Sequence, residues 1–102
     1  MIAPMKYAMF CILYHTMENG IWEYEIYEQL KKGYSRRSLV KVREILVELR
    51  TKAWTEEIDV ALFEGELVRK YKLEERHKKF IEYMLPNPKQ LLLDAHIDPA
   101  TF

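Results

Sequence analysis

The chain has one cysteine among its 102 residues, so an intrachain disulfide is excluded. Without a second thiol, a reducing compartment is the simpler setting for the protein. The histidines are equally sparse: His15, His77 and His96 are too far apart to show the paired spacing of metal ligands. We therefore expect Cys11 and the histidines to be core or surface residues, and we expect no metal site.

Long apolar runs are also missing. None approaches the length needed to span a bilayer, and the N-terminus lacks the basic region of a secretory signal. A cytoplasmic protein of one domain, with a modest core and no membrane contact, is therefore expected. The chain contains no glycine-rich phosphate loop, nucleophile elbow or catalytic-triad pattern, so we expect neither enzyme activity nor a cofactor.

Net charge is absent as well, because 16 basic residues balance 16 acidic ones. A strongly basic chain would have pointed directly to nucleic acid. The balance nevertheless hides three blocks of charge: Ser35–Lys52 carries +4, Ala53–Glu66 carries −5 and Leu67–Lys79 carries +4. Such segregation along a chain is more informative than the total.

The first basic block contains the most informative stretch, from Ser35 to Trp54. Its apolar residues recur at helical spacing, and Ser35 stands where a hydroxyl can cap the first turn. The polar and basic residues crowded into its first two turns are Ser35, Arg36, Arg37, Ser38, Lys41 and Arg43. A helix with a basic front end and an apolar back is suited to a phosphate-lined groove. The alternative is a core helix with a solvated charged face.

Two further helices are predicted before this stretch, over residues 6–19 and 21–32, with Gly20 and Gly33 ending them. The first is apolar around nearly its whole circumference, so we expect it to be buried either in the core or against a second subunit. The second is expected to place Trp22, Ile26, Tyr27 and Leu30 inside and Glu23, Glu25 and Glu28 in water. The short turn after Gly33 predicts a helix-turn-helix.

After Trp54 the apolar residues alternate, which predicts a β-hairpin with its turn at Glu64–Gly65. A helix over residues 74–85 is expected to follow and to end at Pro86. Its inner face would carry His77, Phe80, Ile81 and Met84. Residues 87–102, with Leu91, Leu92, Leu93 and Ile97, are too apolar for a free tail and predict a short packed helix.

Three of these motifs together resemble the winged helix-turn-helix superfamily. W-E-Y-E-I-Y-E-Q-L-K-K-G is similar to its second helix, and S-R-R-S-L-V-K-V-R-E-I-L-V-E-L-R-T-K-A-W is similar to its recognition helix. E-L-V-R-K-Y-K-L-E-E-R-H-K-K-F-I-E-Y-M-L resembles its second wing strand and closing helix. The resemblance covers about two-thirds of the chain and is to small bacterial and archaeal transcriptional regulators of the MarR, PadR and ArsR type.

The resemblance implies an α+β, mainly helical fold, with three helices, a two-stranded wing and a C-terminal helix in residues 1–85. Residues 86–102 would then be an extension packed on the domain or on a dimer partner. It further implies a homodimeric, sequence-specific regulator whose recognition helix enters the major groove of double-stranded DNA. We expect the dimer to form through the first helix and residues 90–97.

The wing residues leave two alternatives open. Arg69 and Lys70, with Lys72 beside them, either contact phosphate or pair with Glu57 or Asp59 across the hairpin. Wings of this superfamily tend to be basic at the tip, whereas this tip carries Glu64 and Glu66, which phosphate would repel. Either the wing stays off the DNA, or the alternative function applies: a protein-interaction module with an acidic wing that does not bind DNA directly. The end of the recognition helix also departs from the family pattern, with Lys52-Ala53 where glycine is usual.

Overall fold

A computed structural model describes residues 2–85 and 87–102, so Pro86 lies outside the described residues. About half of the chain is helical and three strands form an antiparallel sheet, which confirms the predicted α+β class. The helices are α1 (Met5–His15), α2 (Glu23–Leu30), α3 (Arg36–Leu39), α4 (Val42–Thr51), α5 (Lys78–Met84) and α6 (Pro88–Asp94). The strands are β1 (Ile21–Trp22), β2 (Thr55–Phe63) and β3 (Glu66–Leu73), in the order β1–β3–β2, and Glu75–His77 and Pro99–Thr101 form single 3-10 turns. No helix in the described ranges is both long and apolar enough to cross a membrane.

The first two predicted helices are shorter than expected because a strand lies between them. α1 ends at His15 rather than at residue 19, and Gly20 then adopts a φ of +77°. Ile21 and Trp22 do not begin α2 but pair with Tyr71 and Lys70 of β3. Pairing with a distant strand thus overrides the local helical pattern.

Gly33 lies just after α2, near its predicted end, but not in the left-handed conformation. Its φ is not positive, whereas those of Gly20 and Gly65 are. A Cβ at Gly33 would instead overlap the carbonyl oxygen of Ala95, which follows α6. Glycine is needed here for close backbone approach.

The long helix predicted from Ser35 to Trp54 is divided into α3 and α4. Backbone φ and ψ stay helical at Val40 and Lys41, but the Lys41 amide donates to the Ser38 carbonyl, three residues back, at 3.1 Å. Such i→i+3 bonds tighten a helix locally. The break leaves the Val40 side chain 75% exposed.

Most of the apolar circumference of α1 is covered within a single chain. Residues Ala8 to Leu13 are all buried, and Leu92, Ala95 and Ile97, on and just after α6, belong to the same core. Of the two alternatives for the first helix, the structure therefore shows burial in the core of the same chain. Residues 87–102 include the predicted short helix, although Leu93 points outward and is 45% exposed.

The predicted hairpin is confirmed, with β2 and β3 joined at Glu64 and Gly65. Both turn residues have positive φ, +50° and +82°, as the favoured two-residue turns of hairpins require. A bulge at Ile58 interrupts the register. The apolar residues beyond it do not reach the core: Leu62, for example, is 74% exposed.

The helix predicted over residues 74–85 begins as a 3-10 turn before α5. Ile81 is fully buried, as expected, but Phe80 is about half exposed and packs on Trp54, with ring centroids 5.3 Å apart. Trp54 also stacks on His77, at 4.1 Å. Trp54, His77 and Phe80 form an aromatic group that connects the segment after α4 to the start of α5.

Candidate nucleic-acid interface

The polar front of α3 is built on a serine cap. The Ser35 hydroxyl accepts a hydrogen bond from the Ser38 amide at 3.3 Å, which satisfies a free donor of the first turn and confirms the predicted cap. The two serine hydroxyls are also 3.3 Å apart. With the serines holding the turn, Arg36 and Arg37 extend into solvent.

Arg36, Arg37 and Lys41 form a group that we call the free cations. All three side chains are exposed, and Lys41 lies one turn after Arg37. None of the three has a carboxylate within 4.0 Å in the part of the chain that the structure describes. Their positive charge is therefore available to an external anion.

Arg43 is in a different situation, because its Nε lies 3.1 Å from Oε1 of Glu23. The hydrogen bond that the guanidinium donates to this carboxylate is the main reason that the pKa of Arg43 is raised. Glu23 was expected to face water, and this is wrong: its side chain is only 13% exposed. The start of α2 thus supplies a shielded counter-ion to α4.

Arg69 is paired as well, with its Nε 2.6 Å from Glu57 Oε1. Of the two predicted alternatives for this arginine, the structure shows the cross-hairpin pair. Arg50 of α4 shares the same carboxylate, at 3.6 Å. Sequence reasoning missed Arg50, although its position seven residues after Arg43 places both on one helix face. Arg43, Arg50 and Arg69 meet around a cavity of about 120 Å³ next to Tyr71.

Lys70 lies apart from this group, because consecutive strand residues point to opposite faces of the sheet. Its Nζ is 5.8 Å from the centre of the Trp22 ring, within cation–π range. Asp59 stands opposite Lys70 in the register, but no ion pair joins them. The structure therefore divides the predicted DNA-binding residues into the α3 front, an ion-paired arginine group and Lys70.

The remaining candidate groups form no centre. Among residues 2–85 and 87–102, no three histidine, cysteine or acidic side chains come together as metal ligands. Cys11 is buried in the core, and burial raises the pKa of its thiol to about 12, so the unreactive thiol form dominates. His77 lies 3.0 Å from the Ala53 carbonyl oxygen as part of the aromatic group.

Comparison of the chain with family models, curated proteins and solved structures finds no match.

Proposed function

We propose that this protein is a winged helix-turn-helix regulator that binds double-stranded DNA through the front of α3. One observation carries the proposal. The chain has six arginines, and four of them, Arg43, Arg50, Arg69 and Arg76, have a carboxylate within 4.0 Å. Arg36 and Arg37, the two adjacent arginines at the front of α3, have none among the described residues.

This division decides which cations can bind phosphate strongly. An arginine already paired with a shielded carboxylate brings little net charge to DNA, and drawing it away would leave the carboxylate uncompensated. Arg43 and Arg69 therefore contribute less than the sequence pattern suggested. Binding of phosphate by the free cations leaves no carboxylate unpaired. The guanidinium of an arginine can also pair with both acceptors on a guanine edge.

The order of elements supports the winged-helix part of the proposal. The chain forms a helix, a short strand, two helices joined by a turn at Gly33-Tyr34, and then a hairpin. β1 pairs with β3 on the side opposite β2. In such a domain the helix after the turn enters the major groove. That helix here is α3, continued by α4.

A homodimer remains part of the proposal, but it requires a surface other than the one expected. The buried residues of α1 are already covered, whereas Tyr7 on α1 and Leu93 on α6 are 39% and 45% exposed. Pairing through these two outward side chains would use the predicted elements without uncovering the core. A two-fold pair would place two α3 helices about one DNA turn apart, roughly 34 Å.

The test compares two double variants of equal charge. Arg37→Ala/Lys41→Ala removes free cations of α3, and Lys78→Ala/Lys79→Ala removes two exposed cations from α5. After a site is selected from random duplexes, we expect the first variant to lose about 1–3 kcal/mol for each base contact removed. We expect the second variant to bind as the parent does. Thermal unfolding of both variants should match that of the parent, because all four side chains are exposed.

Salt dependence provides the second readout. The logarithm of the parent's binding constant should fall linearly with the logarithm of salt concentration, and the α3 variant should show a shallower slope. Equal affinity of the α3 variant and the parent for the selected duplex would remove these residues from the interface. Selection that enriches no duplex would remove DNA binding itself.

A protein partner is the second candidate function, and one observation favours it. The tip of the hairpin combines the carboxylates of Glu64 and Glu66 with the exposed apolar side chains of Leu62, Phe63 and Leu67. Phosphate repels such a tip, while apolar surface of this kind often marks a protein interface. In this alternative the hairpin is the binding surface for a protein, and the chain does not bind DNA directly.

A further inference from the structure

A cleft of about 530 Å³ separates the hairpin from α2, α3 and α4. Its walls are apolar and aromatic: Tyr24 and Tyr27 come from α2, Val40 from the α3–α4 break and Phe63 from the end of β2. The Tyr24 and Phe63 rings stack, with centroids 6.2 Å apart and planes at 18°. This contact joins α2 to the hairpin, and both residues line the cleft.

Part of the cleft wall is an unpaired strand edge. β1 is two residues long and pairs only with Tyr71 and Lys70 of β3. Over residues 66–69, β3 has β2 on one side and no strand on the other, and Glu66 and Val68 from this stretch line the cleft. No other backbone group in the described chain bonds to this stretch of the edge. An edge of this kind presents N–H and C=O groups on which a further strand can form.

The charge of the cleft is negative. Glu23, Glu28, Glu64 and Glu66 line it, against the single guanidinium of Arg43. Arg43 is ion-paired with Glu23. Glu28 is ion-paired with Lys31, whose Nζ lies 3.4 Å from the Glu28 carboxylate. Glu64 and Glu66, beside the free edge, have no cation within 4.0 Å in the described ranges.

We propose that an extended, basic segment of a partner protein binds in this cleft as an added strand on β3, next to residues 66–69. Main-chain hydrogen bonds to the edge would supply affinity, and alternate side chains would supply specificity. Lysine or arginine side chains of the segment reach Glu64 and Glu66, and apolar ones pack on Tyr24, Val40 and Phe63. This specifies the second candidate function and is independent of DNA binding.

Charge and backbone together select this occupant. A second copy of the chain pairing β3 with β3 would bring its own Glu64 and Glu66 to the same edge, where like charges repel. A small organic cation would suit the aromatic walls but would leave the edge of β3 unpaired. A basic strand satisfies the walls, the charge and the edge at once.

The test uses a short synthetic peptide of alternating lysine and valine, with the same peptide carrying glutamate in place of lysine as control. Amide resonances of isotope-labelled protein are followed during titration. We expect saturable shifts at residues 66–69 and slower hydrogen exchange at Leu67 and Arg69. The backbone groups of these two residues face the open edge, whereas those of Glu66 and Val68 face β2. We expect no binding of the acidic peptide.

Two double variants separate the cleft from general charge. Glu64→Lys/Glu66→Lys should bind the basic peptide roughly tenfold more weakly, since two ion pairs are lost and like charges oppose. Glu18→Lys/Glu82→Lys makes the same change in net charge at exposed positions away from the cleft and should bind within about twofold of the parent.

Several results would overturn the proposal. Peptide shifts that map outside the cleft, or equal weakening by both variants, would refute the assignment of the site. Binding of tetraphenylphosphonium in the cleft without peptide-induced protection of the Leu67 and Arg69 amides would show a small-molecule site instead. Absence of peptide binding would refute the docking role. It would leave the proposed DNA binding unaffected, because duplex binding is measured separately.

Discussion

His15, the last residue of α1, lies where the charged form of its imidazole is disfavoured. Its Nε2 atom is buried and has no hydrogen-bond partner among the described residues. Burial lowers the pKa of the imidazole, and the positive charge of Lys89 lowers it further. The folded protein therefore favours the neutral ring more than the unfolded chain does.

A pH dependence follows from this shift. Because the unfolded chain takes up the proton first, His15 contributes stability above its unfolded pKa of about 6.5 and loses it as pH falls through the folded pKa. Urea unfolding of the parent and His15→Gln should therefore differ in pH dependence, with the parent losing more free energy of unfolding between neutral and mildly acidic pH. Parallel curves for the two proteins would show that His15 is not the group responsible.

A second prediction concerns the addition of a single methyl group at Gly33. In Gly33→Ala the new Cβ would meet the Ala95 carbonyl oxygen, so backbone must move and the free energy of unfolding should fall by about 1–3 kcal/mol. Gly65→Ala is the matched control: its Cβ meets no atom within 4 Å, but φ of +82° is unfavourable for alanine.

Hydrogen exchange distinguishes the two glycine variants. Gly33→Ala should speed exchange in α6, because α6 must move to admit the methyl group, whereas Gly65→Ala should affect only the hairpin turn. Unchanged α6 protection in Gly33→Ala would mean that the turn, rather than α6, yields to the new side chain.

At the scale of elements, the hairpin offers a test of its own distance from DNA. If its tip passes near the phosphate backbone, Glu64→Lys/Glu66→Lys should strengthen non-specific duplex binding at low salt, because repulsion is removed and phosphate partners are gained. Glu18→Lys/Glu82→Lys corrects for the overall change of charge. Equal affinities of the two variants would place the tip away from DNA.

Elements whose causes lie within a few residues could be predicted from the sequence. The hairpin follows from alternation around Glu64–Gly65, and the start of α3 follows from the Ser35 cap. β1 could not be predicted, since two residues form a strand only because Tyr71, fifty positions later, pairs with Ile21. The break at Val40 likewise has no local signal as strong as proline or glycine.

The candidate site divides in the same way. The exposure of Arg36 and Arg37 follows from their helical positions. The pairing of Arg43 with Glu23 spans twenty residues and depends on the fold bringing the start of α2 next to the start of α4, which periodicity alone does not report. The pairing of Arg69 with Glu57 could be anticipated as one alternative because both residues belong to one hairpin.

At the scale of the whole molecule, α6 both completes the core and carries an exposed surface. Leu92 is fully buried and Leu93, its neighbour, points outward. Leu92→Ala should lower the free energy of unfolding by about 2–5 kcal/mol, as expected for a large buried side chain. Chemical denaturation measures this directly, and a loss well below that range would mean that α6 packs loosely on α1.

Leu93→Glu tests the dimer without touching the core. Light scattering of the parent at micromolar concentration should show a dimer, and this variant should show a monomer of unchanged stability. A monomeric parent would refute the homodimer. Deleting residues 89–102 is a harsher change, because it uncovers α1 and should therefore yield an unfolded or aggregated chain rather than a folded monomer.

The close approach of Gly33 to Ala95 has a consequence for motion at the front of α3. The turn of Gly33 and Tyr34 lies near the surface, yet Ala95 packs on one side of it and the Tyr34 hydroxyl donates to the Ala3 carbonyl at 2.7 Å. Segments from both ends of the chain thus hold a two-residue turn. Its amides should exchange with solvent only in the slow openings that release α6. The exchange rate of this surface turn should therefore match that of the core rather than that of the loops.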